Sequence, residues 1–113
     1  NTTQLVTMLK SGEIRISGGE HLRRLKSAAN LIRLDAKIFE AFWNNQHLIP
    51  NHWKDEVNGY GNNYIHFDGS QFQRPHGRRY VLLFYWTGAK WDWVCHWHGV
   101  DRNVQCPSAV LVV

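Results

Sequence analysis

The chain has 113 residues, of which 43% are apolar and 19% charged, and this balance excludes an intrinsically disordered chain. That length predicts a single domain over residues 1–113 with a hydrophobic core of its own. The formal net charge is +4, but acidic residues lie between most of the basic ones, which favours a solvated surface over a nucleic-acid footprint. No apolar run approaches the roughly 20 residues of a membrane span. No signal-peptide pattern is visible in this chain, so the sequence leaves the location open, the cell surface included.

The first half of the chain has the periodicity of helices. Thr2 or Thr3 is a candidate N-cap for a short helix that runs through Lys10. A glycine-rich break follows, with a candidate short strand over residues 13–16. Apolar residues at helical spacing then predict a helix over residues 19–34. Asp35 is a candidate N-cap for a further helix, which cannot continue through Pro50.

The second half changes to the period of strands. A loop is predicted over residues 58–63, and short strands over residues 64–67 and 71–73 flank a turn at Asp68 and Gly69. The stretch RYVLLFYW is apolar on both faces, which predicts a central strand, and WDWVCHWH predicts its hairpin partner. The final SAVLVV predicts one more buried strand. Helices followed by a mainly antiparallel sheet indicate an α+β fold with a Trp-rich hairpin and loop near the C-terminus.

Tryptophan is concentrated in this hairpin. Alternate side chains of a strand face opposite ways, so the residues divide into two sets. The odd-numbered set is Trp91, Trp93, Cys95 and Trp97, and the even-numbered set is Asp92, Val94, His96 and His98. A half-buried strand with its tryptophans on the core side explains the pattern. We therefore expect the three tryptophans to be buried and the even-numbered side chains to be exposed.

Two stretches resemble a known protein family. They are IFEAFWNNQHLIPNHWK and RRYVLLFYWTGAKWDWVCHWHGVDRNVQCPSAVLVV, which together cover nearly half the chain. Both are similar to the variable proteins of diversity-generating retroelements, specifically the AvpA-like group from nanoarchaeal and related uncultivated archaeal lineages. In that family, a Trp framework is interleaved with diversified positions and closed by a Pro-Ser-Ala-Val-Leu-like end. The resemblance implies a C-type lectin-like fold.

The resemblance also assigns a role to individual positions. The scaffold falls on Tyr85, Trp86, Trp91, Trp93, Trp97 and residues 107–111. The diversified, ligand-binding positions fall on Thr87, Ala89, Asp92, Val94, Cys95, His96, His98, Gly99, Val100, Arg102, Val104, Gln105 and Cys106. Such elements mutate adenines, and the Trp codon has none, whereas an AAC-type Asn codon can become most residue types. Gln105 departs from that codon pattern.

The function implied by the resemblance is ligand binding without catalysis. A hypervariable surface would be displayed on the Trp-rich scaffold, and no cofactor or metal is expected. Calcium motifs of the Glu-Pro-Asn or Trp-Asn-Asp type are absent from the sequence, so a calcium-dependent sugar site is not expected. The expected partner is a protein or cell-surface ligand of unknown identity, with no nucleic acid in the mature role. The sequence leaves the oligomeric state open.

Other chemistry for the same residues stays open as alternatives. Cys95, His96 and His98 are metal-ligand residue types, and Cys106 or another His could complete a tetrahedral zinc site with them. The two cysteines could instead pair in a disulfide. A Cys-His nucleophilic pair is a weaker option, because neighbours on a strand point apart. The Trp cluster with nearby arginines could stack single-stranded nucleic acid, which requires exposed tryptophans.

The remaining aromatic residues have simpler interpretations. Trp43 and Trp53 are expected in the core. The other histidines show no ligand spacing and are expected to be structural or exposed: His21, His47, His52, His66 and His76.

Overall fold

The computed structural model describes residues 2–57 and 61–113. The elements in chain order are β1 (Thr2–Val6), α1 (Gly18–Lys26), β2 (Leu31–Arg33), α2 (Ala36–Asn44), two 3₁₀ turns (Gln46–Leu48 and Asn51–Lys54), β3 (Ile65–Gln73), β4 (Arg79–Trp86), β5 (Trp91–Trp97) and β6 (Ser108–Val112). The α+β fold class is thereby confirmed. Of the predicted loop over residues 58–63, residues 58–60 lie outside the described part. No helix in the described ranges has the length and apolar character to cross a membrane.

All six strands belong to one sheet. Its order is β1-β6-β3-β4-β5, and β2 pairs with β6 beside β3. Four of the five strand pairings are antiparallel, while β3 meets β6 in parallel at the His66–Ser108 pair. The sheet is therefore mixed, with mainly antiparallel pairing as expected. β5 has a partner on one side only and forms an edge of the sheet.

The core lies between α2 and one face of the sheet. The side chain of Asp35 accepts a hydrogen bond from the backbone N–H of Ile38, so this residue caps α2 as predicted. Phe39 of α2 meets Phe67 of β3 edge-on at 5.3 Å between ring centroids and Phe84 of β4 at 5.6 Å. Trp53 is buried in the same cluster, which confirms its expected place in the core. Trp43 only packs against the cluster as a partly buried residue.

Three predictions for the first half of the chain are wrong. Residues 2–6 form β1, which pairs along its whole length with β6. The helix predicted over residues 19–34 forms only as α1, which ends at Lys26, and residues 31–33 form β2 on the side of β6 opposite β1. No strand forms over residues 13–16, although Ile16 makes an isolated bridge to Arg102. In the first two cases, long-range pairing with β6 overrides a short helical pattern, because helix propensity amounts to tenths of a kcal/mol per residue.

The predicted turn at Asp68 and Gly69 is also wrong. Residues 65–73 form one strand, whose register shifts between Phe67 and Phe72. Gly69 donates its N–H to the carbonyl of Leu34 at 2.8 Å. A Cβ on Gly69 would stand 2.7 Å from that carbonyl oxygen, so the glycine serves a close backbone approach and not a turn.

Candidate functional site

The three tryptophans of β5 do not share one environment. Trp91 is 5% exposed and packs on Phe84, whereas Trp93 is 44% and Trp97 42% exposed. The prediction that all three are buried is therefore wrong for Trp93 and Trp97. From α2, the Phe39 ring meets the Trp93 ring in a T-shaped contact, with 6.1 Å between the ring centroids. Because β5 is an edge strand, no further strand among residues 2–57 and 61–113 covers the rest of this face.

The opposite face of β5 is less open than expected. Asp92, Val94 and His96 are half-buried, as is His98 just after the strand. On β4, Val81 pairs with His96 and Leu83 pairs with Val94, and both apolar side chains are fully buried. The chain that follows β5 crosses this side of the sheet. The prediction of full exposure for the even-numbered set is wrong for that reason.

The other positions expected to vary have three kinds of environment. Thr87, Ala89 and Val100 are exposed, Cys95, Gly99, Val104, Gln105 and Cys106 are half-buried, and Arg102 is buried. We use the name variable surface for the twelve of these thirteen positions that are exposed or half-buried: Thr87, Ala89, Asp92, Val94, Cys95, His96, His98, Gly99, Val100, Val104, Gln105 and Cys106. The structure brings them onto one hairpin and the segment that follows it.

Residues 98–106 are held in place by their backbone. The anchoring bonds are His98 N–H to Arg79 C=O (2.8 Å), Gly18 N–H to Val100 C=O (3.1 Å), Ile16 N–H to Arg102 C=O (3.0 Å), Arg102 N–H to Ile16 C=O (2.7 Å) and Tyr64 N–H to Gln105 C=O (2.6 Å). Main-chain bonds of this kind form with any non-proline side chain. The path of the segment therefore depends little on the side chains of the variable surface.

Gly18 makes this anchoring possible. A Cβ at position 18 would stand 1.8 Å from the backbone oxygen of His98, whereas a Cβ at Gly19 would meet only the His98 side chain, at 3.7 Å. We expect Gly18→Ala to lower the free energy of unfolding by about 1–3 kcal/mol, because the segment must move away. Gly19→Ala is the matched control and is expected to be neutral or stabilising, since alanine favours a helix over glycine. Urea titration measures both, and equal effects would contradict the close approach.

Arg102 does not belong to an exposed surface. Its guanidinium donates to Asp68 twice, at 2.8 Å and 2.6 Å, and the two residues are 2% and 0% exposed. Ser108 also donates to the Asp68 carboxylate. Burial alone raises the pKa of Asp68, but the hydrogen bonds and charge of Arg102 outweigh it and hold that pKa below its usual value. The assignment of Arg102 to a displayed ligand-binding position is therefore corrected: its side chain is a structural ion pair.

Two buried histidines lie close to this ion pair. Burial and the charge of Arg102 lower the pKa of His66 to about 3 and that of His21 to about 4. His66 also makes a 2.7 Å hydrogen bond with the backbone oxygen of Tyr64 through Nδ1. Both rings are therefore neutral in the folded protein at neutral pH.

We expect the protein to lose stability as the pH falls below the ordinary histidine pKa of 6.5. Both pKa values are depressed in the folded state, so the unfolded chain takes up these protons first. The stabilisation is complete above that pH and is lost as the pH falls toward the folded values, by about 1.4 kcal/mol per pH unit for each ring. Urea midpoints measured across the acidic range test this, with His21→Gln as the comparison. An unchanged slope in that variant would contradict the role of His21.

Cys95 and Cys106 are both free thiols, so the disulfide alternative is not formed. Cys95 pairs with Leu82 across the β4–β5 ladder and shares the face of Trp93, while His96 lies on the other face. Burial raises the pKa of Cys106, which leaves the thiol protonated and weakly nucleophilic. Across residues 2–57 and 61–113, no three His, Cys, Asp or Glu side chains are grouped to hold a metal ion.

The sequence interpretation missed two features of this region. The first is the buried partner of Asp68: the sequence predicts a turn there, although a lone carboxylate inside an apolar strand pattern is itself a signal for a buried partner. The second is an apolar groove of about 440 Å³ between α2 and the open part of the sheet face. Its lining includes Phe39, Glu40, Trp43, Phe72, Leu82 and Trp93. Phe72 is the sequence signal for this groove, because an aromatic residue on a predicted short strand indicates an apolar surface around it.

Comparisons of the chain with models of protein families, with curated proteins and with solved structures found no match.

Proposed function

We propose that the chain is a non-enzymatic binding protein that displays a hypervariable surface, diversified by a retroelement, on a C-type lectin-like scaffold. The backbone anchoring of residues 98–106 carries the proposal. Main-chain hydrogen bonds hold the segment whatever the side chains at its exposed positions are, so a binding surface can change while the fold is kept. A site that depended on particular side chains at fixed geometry would lack this tolerance.

Two positions taken from the resemblance are constrained. Arg102 is excluded from the variable surface by its buried ion pair. A Cβ on Gly99 would stand 2.7 Å from the ring of Trp97, so substitution there requires that half-exposed ring to move. Diversification is therefore expected to be freest at the exposed Ala89 and Val100, because the Thr87 hydroxyl donates to the Lys90 carbonyl and accepts from the Ala89 and Lys90 N–H groups.

The C-type lectin-like assignment belongs to the same proposal. It is supported by the two helices packed with a mainly antiparallel sheet and by the Trp-rich hairpin at the edge of that sheet. The antiparallel pairing of β1 with β6 also ties the two ends of the described chain together. A rigid frame of this kind suits a surface whose ligand differs from one variant to the next.

A pair of libraries tests the proposal. The first randomises Asp92, Val94, His96, His98, Val100 and Val104, and the second randomises the same positions together with Arg102. We expect most members of the first library to be soluble and folded, and most members of the second to be unfolded. Widespread unfolding in the first library would contradict the proposal that these positions tolerate substitution.

Binding and gene context complete the test. Selection of the first library against a panel of purified proteins is expected to yield new binders, since folding alone does not demonstrate a binding surface. Diversification by a retroelement further requires a neighbouring reverse-transcriptase gene and a near-copy repeat that differs at adenines. Absence of both from the genome would remove the retroelement from the proposal and leave a fixed binding protein.

Binding of single-stranded nucleic acid is the second candidate function, because Trp93 and Trp97 are exposed. The Arg78 guanidinium lies 4.6 Å from the centroid of the Trp97 ring, and that of Arg74 lies 4.7 Å from the Tyr80 ring. Aromatic faces with arginines are the elements of a stacking platform. However, each arginine already covers a ring face that a base would need.

Fluorescence anisotropy with labelled oligonucleotides separates the two candidates. A stacking platform predicts oligonucleotide binding that weakens steeply with salt. That binding is expected to be lost in Trp97→Ala and to be weakened in Phe72→Ala, which removes a second exposed aromatic ring. The display proposal predicts no binding at physiological salt. If the oligonucleotides bind in a salt-dependent way, and members of the first library bind them equally well, nucleic-acid binding becomes the favoured function.

A further inference from the structure

The groove between α2 and the sheet is built from aromatic rings on three elements. Phe39 and Trp43 stack along α2 at 6.4 Å with an interplanar angle of 1°, and Trp93 meets Phe39 edge-on at 6.1 Å. Phe72, on β3, is 45% exposed and lines the same space. The volume of about 440 Å³ lies in the range of small-molecule sites. The groove therefore offers several ring surfaces to one small ligand.

One charged side chain, that of the exposed Glu40, lies at this aromatic surface. Glu40 follows Phe39 on α2, and of the described residues that line the groove it alone is ionisable. Its carboxylate makes no ion pair with any described Lys, Arg or His, although the chain carries a net charge of +4. An unpaired anion beside aromatic rings attracts a cation, because the faces of the rings are also negative.

We propose that this groove binds a small quaternary-ammonium compound of the choline type. The ammonium head of such a compound carries methyl groups and no N–H, so it fits among aromatic rings without leaving an N–H donor unsatisfied. The ring faces and the Glu40 carboxylate then both stabilise its charge. None of the lining residues belongs to the variable surface, so the inference is independent of the proposed display function and describes a constant site.

The chemistry of the groove disfavours the other occupants. A nucleic acid would bring phosphates toward the Glu40 carboxylate. A neutral apolar ligand would fill the same volume but would gain nothing from that charge. A primary ammonium ion would need hydrogen-bond acceptors in addition to Glu40, because its three donors lose their water on entry.

The experiment is a titration of the full chain with choline and with 3,3-dimethylbutan-1-ol, which has the same shape and no charge. Calorimetry gives the affinities, and the indole N–H signals of the protein in NMR report where binding occurs. We expect choline to bind about tenfold more tightly than the neutral alcohol. Equal affinities, or no binding of choline, would overturn the proposal.

Two variants locate the site. Glu40→Gln is expected to weaken choline binding several-fold and to leave binding of the alcohol unchanged. Trp93→Leu keeps an apolar wall and is expected to weaken choline binding about tenfold. Glu56→Gln, an exposed carboxylate outside the groove, is the matched control and is expected to change neither affinity. Circular dichroism confirms that each variant is folded.

A second copy of the chain is the competing occupant, since β5 is an edge strand and Trp93 is exposed. Sedimentation of the wild-type chain with and without choline tests it. A monomer that binds choline supports the proposal. A dimer that Trp93→Leu dissociates and that shows no choline binding would overturn it.

Discussion

Arg102→Met is expected to lower the free energy of unfolding by about 3–5 kcal/mol, because it leaves the Asp68 carboxylate buried without its partner. The ion pair is bidentate, with N–O distances of 2.8 Å and 2.6 Å, and both side chains are almost wholly inaccessible to water. Methionine fills much of the space that arginine leaves, so the loss of the charge is measured with little cavity. Urea or guanidinium titration at neutral pH gives the value.

Two controls separate burial from charge. Arg15→Met makes the same substitution in an exposed ion pair, where Arg15 lies 3.9 Å from Asp101, and is expected to have no measurable effect. The double variant Arg102→Met with Asp68→Leu removes both buried charges and is expected to be more stable than Arg102→Met alone. A double variant as unstable as the single one would contradict the assignment of the loss to an unpaired carboxylate.

This prediction also bears on the proposed display surface. If position 102 were freely diversified, many variants would carry an unpaired buried Asp68 and would unfold. We therefore expect a template repeat, where one exists, to encode Arg102 without change or to confine it to residues that Asp68 tolerates. Backbone tolerance at residues 98–106 thus has an exception at Arg102, whose side chain is buried against Asp68.

Phe84→Ala is expected to lower the free energy of unfolding by about 3–5 kcal/mol, as large-to-small changes in a packed core do. The ring is fully buried and has five aromatic neighbours. Their centroids lie at distances from 5.0 to 6.5 Å and belong to Phe39, Phe42, Trp53, Phe67 and Trp91. Removing it leaves a cavity that these rings, held on α2, β3, β5 and the second 3₁₀ turn, cannot collapse into.

Phe72→Ala is the matched control for this core variant. Phe72 is on the same face of the sheet but is 45% exposed, so its truncation is expected to cost less than about 1 kcal/mol. Trp93 is exposed to the same degree and is also expected to tolerate truncation far better than Phe84. Equal losses for Phe84 and Phe72 in a denaturant titration would show that the aromatic core is not centred on β4.

Several elements were predictable from the sequence because their signals are local. The capping side chain of Asp35, the doubly apolar β4, its hairpin with β5 and the apolar β6 all match the structure. Each depends on a contact within a few residues or on burial on both faces, which composition alone indicates. The helix-like reading of residues 2–10 failed, because β1 forms only through pairing with β6 more than a hundred residues later.

The candidate site also combines features that the sequence predicts with features that only the tertiary structure determines. Alternation along β5 determines from the sequence that Trp91, Trp93 and Trp97 face one side and that His96 faces the other, since a strand repeats every two residues. Which side chains on those faces are buried depends on the elements that pack against them in the tertiary structure. On one face, Phe39 of α2 contacts the ring of Trp93. On the opposite face, residues 98–106 are anchored by main-chain hydrogen bonds, and the Arg102 side chain points inward to bind Asp68. Burial is a property of what packs against a side chain, and the partners here are distant in sequence, so no local pattern contains that information.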